Sequence, residues 1–275
     1  MSLPDRLEAM FDGDAIRFAD DRGHPLDPAL YPAARRAMKA EITELLGQHV
    51  TARNAAIDAL TAQHHDIPAG IRTAGPSSAK PQREAYASDQ AHIEAVMLWR
   101  AAAANSGPAT TGIEEQLLAA LGDLQFPRET NVALELRGDR LLLDVDLPGV
   151  EEMPTNRWVA NIGYAALIAR PIPPRGVAAL YLGHVASLIL RLIGHSFSVS
   201  SDIRSVAVSA HTQRCGSTGQ LVDEYVAVAE IDRDGWNQVD CANIRAIDPA
   251  ELLRRFGAKL EADPRGNLKV QQRFD

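Results

Sequence analysis

The strongest periodic signal lies between Ala33 and Gln63. Met38, Ile42, Leu46, Val50, Ile57 and Leu60 recur there at spacings of three, four and seven residues. On a helix of 3.6 residues per turn those positions share one face, so the pattern predicts a long amphipathic helix over 33–63. Arg53 stands where the stripe calls for an apolar residue, and the heptads are too few and too broken for a sustained coiled coil. Upstream, the Asp-rich residues 1–30, with Pro25 and Pro28, predict a short helix around Arg6–Phe18 followed by a loop. Downstream, DIPAGIRTAGPSSAKPQR at 66–83 is a Pro/Gly/Ser breaker that predicts a loop or linker. Helical pattern resumes from about Asp89, through His92, Val96, Met97 and Trp99–Ala104. A second segment covers Ile113–Leu124, with a break over Asn105–Gly112.

Alternation replaces helical spacing after Phe126-Pro127. Asn131–Leu136 and Arg140–Leu147 flank Arg137-Gly138-Asp139, a hairpin signal. Leu141, Leu143, Val145 and Leu147 point one way and Leu142, Asp144 and Asp146 the other, so one face is buried and one is wet. Trp158–Ile162 predicts a further short strand, and Ala165–Gly176, with three prolines, an extended or looped stretch. Val177–Phe197 predicts a buried core helix. Ile203–His211 and Tyr225–Ile231 predict a second hairpin around the Gly-rich loop Arg214–Gln220. Asp234-Gly235 predicts a turn into a strand over Trp236–Cys241. Asp248 reads as an N-cap, Pro249 as the first helical residue, and Gly257 as the stop of a short helix over Ala250–Phe256. The fold class that follows is α+β: a helical N-terminal half, then a mostly antiparallel sheet covered by one long hydrophobic helix and a short C-terminal helix. The domains are expected at 1–125 and 126–275.

Composition narrows the chemistry. A chain of 275 residues holds one or two domains, and with aromatics at 5% its core must be aliphatic. The net charge of −8 argues against a global electrostatic grip on nucleic acid. It leaves a local basic edge of Arg204, Arg214 and Arg233 as the nucleic-acid candidates. Two distant cysteines, Cys215 and Cys241, make neither a zinc knuckle nor a disulfide framework, which suits the reducing cytosol. The N-terminus has no basic segment leading into an apolar one, as a signal peptide would. The apolar run Val177–Ile193, interrupted by Gly183, His184, Ser187 and Arg191, reads as too short and too polar to span a bilayer. The expected location is cytoplasmic, with no membrane partner.

Asp144 and Asp146 on one strand face are the first candidates for chemistry, since paired carboxylates can hold Mg²⁺. Asp223 and Glu230 are the further acidic candidates. No lysine stands at the spacing a metal-dependent nuclease uses, and solvated carboxylates are the default on a wet sheet face; no metal and no cofactor are assigned. His184 and His195, eleven residues apart on one helix, stand about 16 Å from each other and cannot share a metal. His211 can join either only through folding, and His64 and His65 flank a helix end. Cys215-Gly216-Ser217-Thr218-Gly219 lacks the Gly-Lys-Ser/Thr ending of a phosphate loop and precedes a strand. No GxSxG or GxGxxG occurs. Arg191, inside the most apolar helix, must reach the surface or find a partner, and a structural ion pair is expected ahead of a binding role.

Five stretches carry a family resemblance: LLLDVDLPGVEEMP at 141–154, LYLGHVASLILRLIGHSF at 180–197, SVAVSAHTQ…TGQ at 205–220, EYVAVAEIDRDGW at 224–236 and IDPAELLRRFGAKL at 247–260. In order and spacing they resemble the uncharacterised α+β region that precedes the Mrr-like nuclease domain in bacterial proteins of the restriction-endonuclease type. The resemblance implies defence against phage or foreign DNA, and a module that positions, dimerises or senses. The family's nuclease domain carries the metal-binding Asp, Glu/Gln and Lys; no counterpart follows here, so no catalytic residue carries over. The expectation is a non-enzymatic interaction or scaffold module. It would bind a separately encoded nuclease or ATPase effector, or form a homodimer, and reach nucleic acid through that partner. The alternatives are an atypical metal-dependent nuclease or phosphodiesterase around Asp144, Asp146, Asp223 and Glu230, and a nucleic-acid-binding accessory protein using Arg204, Arg214 and Arg233.

Overall fold

The computed structural model describes residues 3–4, 6–70, 88, 90, 92–97, 109–215 and 219–274. The chain forms two compact units, each from two stretches: 1–59 with 153–177, and 60–152 with 178–275. Each unit holds a four-stranded sheet, and the whole is a mixed α+β fold.

The first unit opens with a hairpin, β1 (Leu7–Asp12) and β2 (Ala15–Asp20). The helix expected over Arg6–Phe18 is therefore corrected. Leu7, Ala9 and Phe11 alternate with exposed residues, and Asp12-Gly13-Asp14 closes the turn, with Gly13 at φ +63°. The stretch expected to be extended or looped contains a strand, β6 (Ala166–Pro171), which pairs antiparallel with β5 (Asn156–Asn161). The sheet order is β1-β2-β6-β5. The expected 33–63 helix is two helices, α1 (Tyr31–Ala37) and α2 (Lys39–Thr61), separated at Met38. Ile42 and Leu46 from its apolar stripe meet Ile16, Phe18, Ala34 and Leu167 in the core. Arg53 interrupts the stripe because it serves the sheet: its guanidinium lies 4.7 Å over the Trp158 ring and donates to Asp14 at 2.8 Å. Asn54 exchanges two hydrogen bonds with the Trp158 backbone, at 2.9 and 3.0 Å, which satisfies part of the β5 edge.

The second unit carries the sheet β3-β4-β7-β8. β3 (Asn131–Arg137) and β4 (Arg140–Asp146) form the expected hairpin, turning at Gly138 with φ +67°, a value only glycine adopts without strain. β7 (Ser205–Cys215) and β8 (Leu221–Asp232) form the second hairpin. β4 and β7 pair in parallel, so the chain between them must cross over, and it does so through α4 (Pro174–Val199). α4 is apolar on nearly every side, the signature of a helix enclosed by protein. It is longer than expected. By length and composition it reaches what a membrane crossing needs, with mean hydropathy 1.7 over its most apolar 18 residues, of which 67% are buried inside the protein.

α3 (Ala109–Gly122) begins before the predicted Ile113, so residues 109–112 of the expected break are helical. Residues 92–97 are helical as expected, while Trp99–Ala104, the 71–83 part of the expected linker and loop residues 216–218 lie outside the described residues. The strand expected at Trp236–Cys241 is corrected to a single helical turn, α5 (Arg233–Trp236), and a 3-10 turn at Cys241–Ala246. Asp232 causes this by accepting from the Gly235 N–H at 2.6 Å, a cap that starts a helix and ends a strand. α6 (Pro249–Arg255) follows the Asp248 cap, which accepts from Ala250 and Glu251.

Candidate functional site

Register sets which side chains meet on the wet face of the second sheet. Leu141, Leu143 and Val145 of β4 stand beside Val206, Val208 and Ala210 of β7, all buried. The opposite face then presents Asp144 beside Ser209 and Asp146 beside His211. On β8 the partners run in step until Ala227 faces Ala210; there Val226 is skipped, and Tyr225 faces His211. That bulge re-aims Tyr225 toward the same cluster. Asp223, opposite Gln213, follows two residues on.

His211 is the hub. Its Nδ1 lies 3.1 Å from Asp144 Oδ1, and its Nε2 lies 3.9 Å from Asp146 and 3.8 Å from Asp223. His211 thus faces three carboxylates, Asp144 on its Nδ1 side and Asp146 and Asp223 on its Nε2 side. The Tyr225 hydroxyl donates to Asp144 Oδ2 at 3.3 Å. Burial raises the Tyr225 phenol above its ordinary value, and the Asp144 charge adds to the rise. The C-terminal segment completes the cluster. Gln271 N–H donates to the Tyr225 carbonyl at 2.7 Å and Phe274 N–H to Ser209 Oγ at 3.1 Å. Between them Arg273 lies 3.3 Å from Asp144 Oδ2 and 5.8 Å over the Tyr225 ring.

Three of the four predicted acidic residues thus converge. Glu230 does not: it sits opposite Ala207 and accepts both branches of Arg140, at 2.8 and 3.3 Å. Among the described residues, no three His, Cys, Asp or Glu side chains are arranged to hold a metal ion. The predicted arginines are placed differently from one another. Arg233 is buried and donates to the carbonyls of Ile203, Phe197 and Ser200, with its guanidinium over the Phe197 ring. Burial, and then the nearby Arg204 charge, hold its pKa below the usual arginine range. Arg214 pairs with Glu224 at 3.1 Å. His211, Tyr225 and Arg273 were absent from the predicted site. Strand alternation could have placed His211 on one face of its own strand, but the bulge and the returning tail leave no mark in local sequence.

A second polar cluster is fully buried. His64 Nδ1 lies 2.9 Å from Ser187 Oγ, and His184 Nδ1 lies 3.0 Å from Gln63 Nε2 and 3.3 Å from the Leu60 carbonyl. His64 Nε2, His184 Nε2 and Gln63 Oε1 have no protein partner in hydrogen-bond geometry. Burial depresses both histidines to about 4. Arg191 finds the expected partner: it grips Asp66 with Nε and Nη2 and donates from Nη1 to the Gln125 carbonyl at 2.8 Å. His195 adds a contact to Asp66 at 3.2 Å.

The chain matches no family model, no curated protein and no solved structure.

Proposed function

We propose that this chain is a cytoplasmic, non-enzymatic interaction module of a bacterial defence system against phage or foreign DNA. It binds a separately encoded effector, such as a nuclease or ATPase, or associates with itself. The observation that carries this reading is the engagement of Asp144 by three basic or hydroxyl groups of its own chain, His211, Tyr225 and Arg273. A carboxylate so occupied ties the C-terminal segment to the sheet; it builds a surface. The resemblance of residues 141–260 to the region preceding Mrr-like nuclease domains supports the setting. The test is a phage-challenge assay in a host carrying the native gene cluster. Deleting this chain should abolish protection, and the purified chain should leave DNA intact with Mg²⁺ or Mn²⁺. Protection that survives the deletion would overturn the reading.

A second reading, an atypical metal-dependent nuclease or phosphodiesterase, is favoured by the convergence of Asp144, Asp146 and Asp223 at His211. It requires that Mg²⁺ or Mn²⁺ raise the melting temperature, and that Asp144→Ala abolish DNA cleavage without unfolding the chain. The predicted nucleic-acid role of Arg204, Arg214 and Arg233 gains less support, because Arg233 is spent on backbone carbonyls inside the protein.

A further inference from the structure

The two edges of the β3-β4-β7-β8 sheet are treated differently by the chain. The β8 edge is occupied: Val228 and Lys259 exchange backbone hydrogen bonds, at 3.2 and 2.8 Å, and Gln271 N–H reaches the Tyr225 carbonyl. β3 ends the sheet on the other side, with β4 as its one strand neighbour among the described residues. Exposure alternates without a break from Glu129 to Arg137: Glu129, Asn131, Ala133, Glu135 and Arg137 are exposed, and the residues between them are half-buried. Val132, Leu134 and Leu136 stand opposite Val145, Leu143 and Leu141, which are 0%, 2% and 0% exposed. The core-side apolar row is therefore fully covered at β4 and only half covered at β3. An added strand would finish that burial and satisfy the outer backbone groups of β3.

We propose that the added strand is β3 of a second copy of this chain, paired antiparallel across a two-fold axis at Ala133. This specifies the self-association arm of the interaction-module reading and rests on it. The register follows from charge. Opposite residues of paired strands must point to the same face, which restricts the axis to whole-residue positions. An axis at Ala133 sets Glu129 opposite Arg137 of the second copy and Asn131 opposite its Glu135, twice over by symmetry. An axis at Val132 sets Glu129 against Glu135. One at Leu134 sets Glu129 against Asp139, and one at Glu135 sets that residue against itself. Only the Ala133 axis, among these neighbours, puts unlike charge at both ends. Arg137 already holds Glu135 of its own strand through two hydrogen bonds, at 2.8 and 3.0 Å. The second copy's Glu129 adds its carboxylate to that exposed pair.

The test is sedimentation equilibrium on the full chain up to about 200 µM, the range in which weak edge pairing is populated. We expect a reversible monomer–dimer equilibrium. Glu129→Arg and Arg137→Glu should each weaken it about tenfold or more, since each sets like charges opposite one another twice. The double variant should restore it. Both sites are exposed, and an unchanged melting temperature shows that each variant is folded. A monomer throughout, or a double variant no tighter than either single one, overturns the proposal. The failure would be separate from failure of the broader reading. If the chain is monomeric and its deletion still abolishes phage protection, only the β3 dimer falls; if protection survives the deletion, the broader reading falls on its own assay.

Discussion

His211 Nδ1 lies 3.1 Å from Asp144 Oδ1, joining residues 67 apart in sequence on two strands that are parallel in the sheet. Asp144 also receives the Tyr225 hydroxyl and the Arg273 guanidinium, so one carboxylate anchors β7, β8 and the C-terminal segment. Asp144→Ala should cost about 1–2 kcal/mol, the loss of charge-assisted hydrogen bonds at a partly exposed site. It should also release the tail. Limited proteolysis with trypsin is expected to cut after Arg273 and Lys269 faster in the variant, with the sheet still protected. Equal cleavage rates would show that the tail is held by its backbone bonds alone.

The Arg191–Asp66 pair is unequal. The Arg191 side chain is 9% exposed and the Asp66 side chain 48%. Burial works against the Asp66 charge, but the hydrogen bonds from Arg191 and His195 outweigh it and hold the carboxyl below its ordinary range. Removing the exposed partner strands a buried cation, whereas removing the buried partner returns a carboxylate to water. Asp66→Ala should therefore cost more, about 3 kcal/mol, than Arg191→Met, about 1–2 kcal/mol. Urea denaturation of both variants checks this, and the reverse order would refute it.

Much of this architecture is written in local pattern. The alternation of Leu141–Asp146, the Asp248-Pro249 helix start and the apolar run of α4 depend on neighbours in sequence, and each appears where expected. The β1–β2 hairpin is ambiguous in local pattern, because Leu7, Met10 and Phe11 satisfy a helical spacing as well as Leu7, Ala9 and Phe11 satisfy a strand, and the Asp12-Gly13 turn decides between them. At the site, the paired Asp144 and Asp146 were legible because they share one strand. Their partners were not. His211 arrives through a parallel pairing that needs the α4 crossover, Tyr225 through a bulge, and Arg273 through a returning tail.

Arg233 and Arg214 separate a structural arginine from a surface one. Arg233 satisfies three carbonyls from a buried position and stacks on Phe197, which itself stacks on Trp236 at 5.7 Å. Arg233→Ala leaves those carbonyls without donors and should cost about 3 kcal/mol or more. Lysine lacks the planar fork that reaches all three, so Arg233→Lys should recover only part of the loss. Arg214, about half exposed and paired with Glu224, should change stability by no more than about 0.5 kcal/mol on truncation. Thermal denaturation of the three variants gives the comparison. A mild Arg233→Ala would mean that water replaces the guanidinium.

Acid should destabilise the second unit through its buried histidines. His64 and His184 are 2% and 0% exposed, and burial lowers both from 6.5 to about 4. The unfolded chain therefore binds more protons than the folded one between those values, and stability falls as pH drops from about 6.5 toward 4. Above that window the neutral imidazoles carry no penalty; below it the penalty is complete, on the order of 3 kcal/mol for each histidine at 1.36 kcal/mol per pH unit. Asp66, with its depressed carboxyl, acts in the same direction at lower pH, as its ion pair with Arg191 is protonated away. Chemical denaturation at intervals from pH 7.5 to 4.5 should show this slope. His184→Gln cannot titrate, and should flatten it by about half even where the variant is less stable overall. A slope unchanged in His184→Gln would place the acid sensitivity elsewhere.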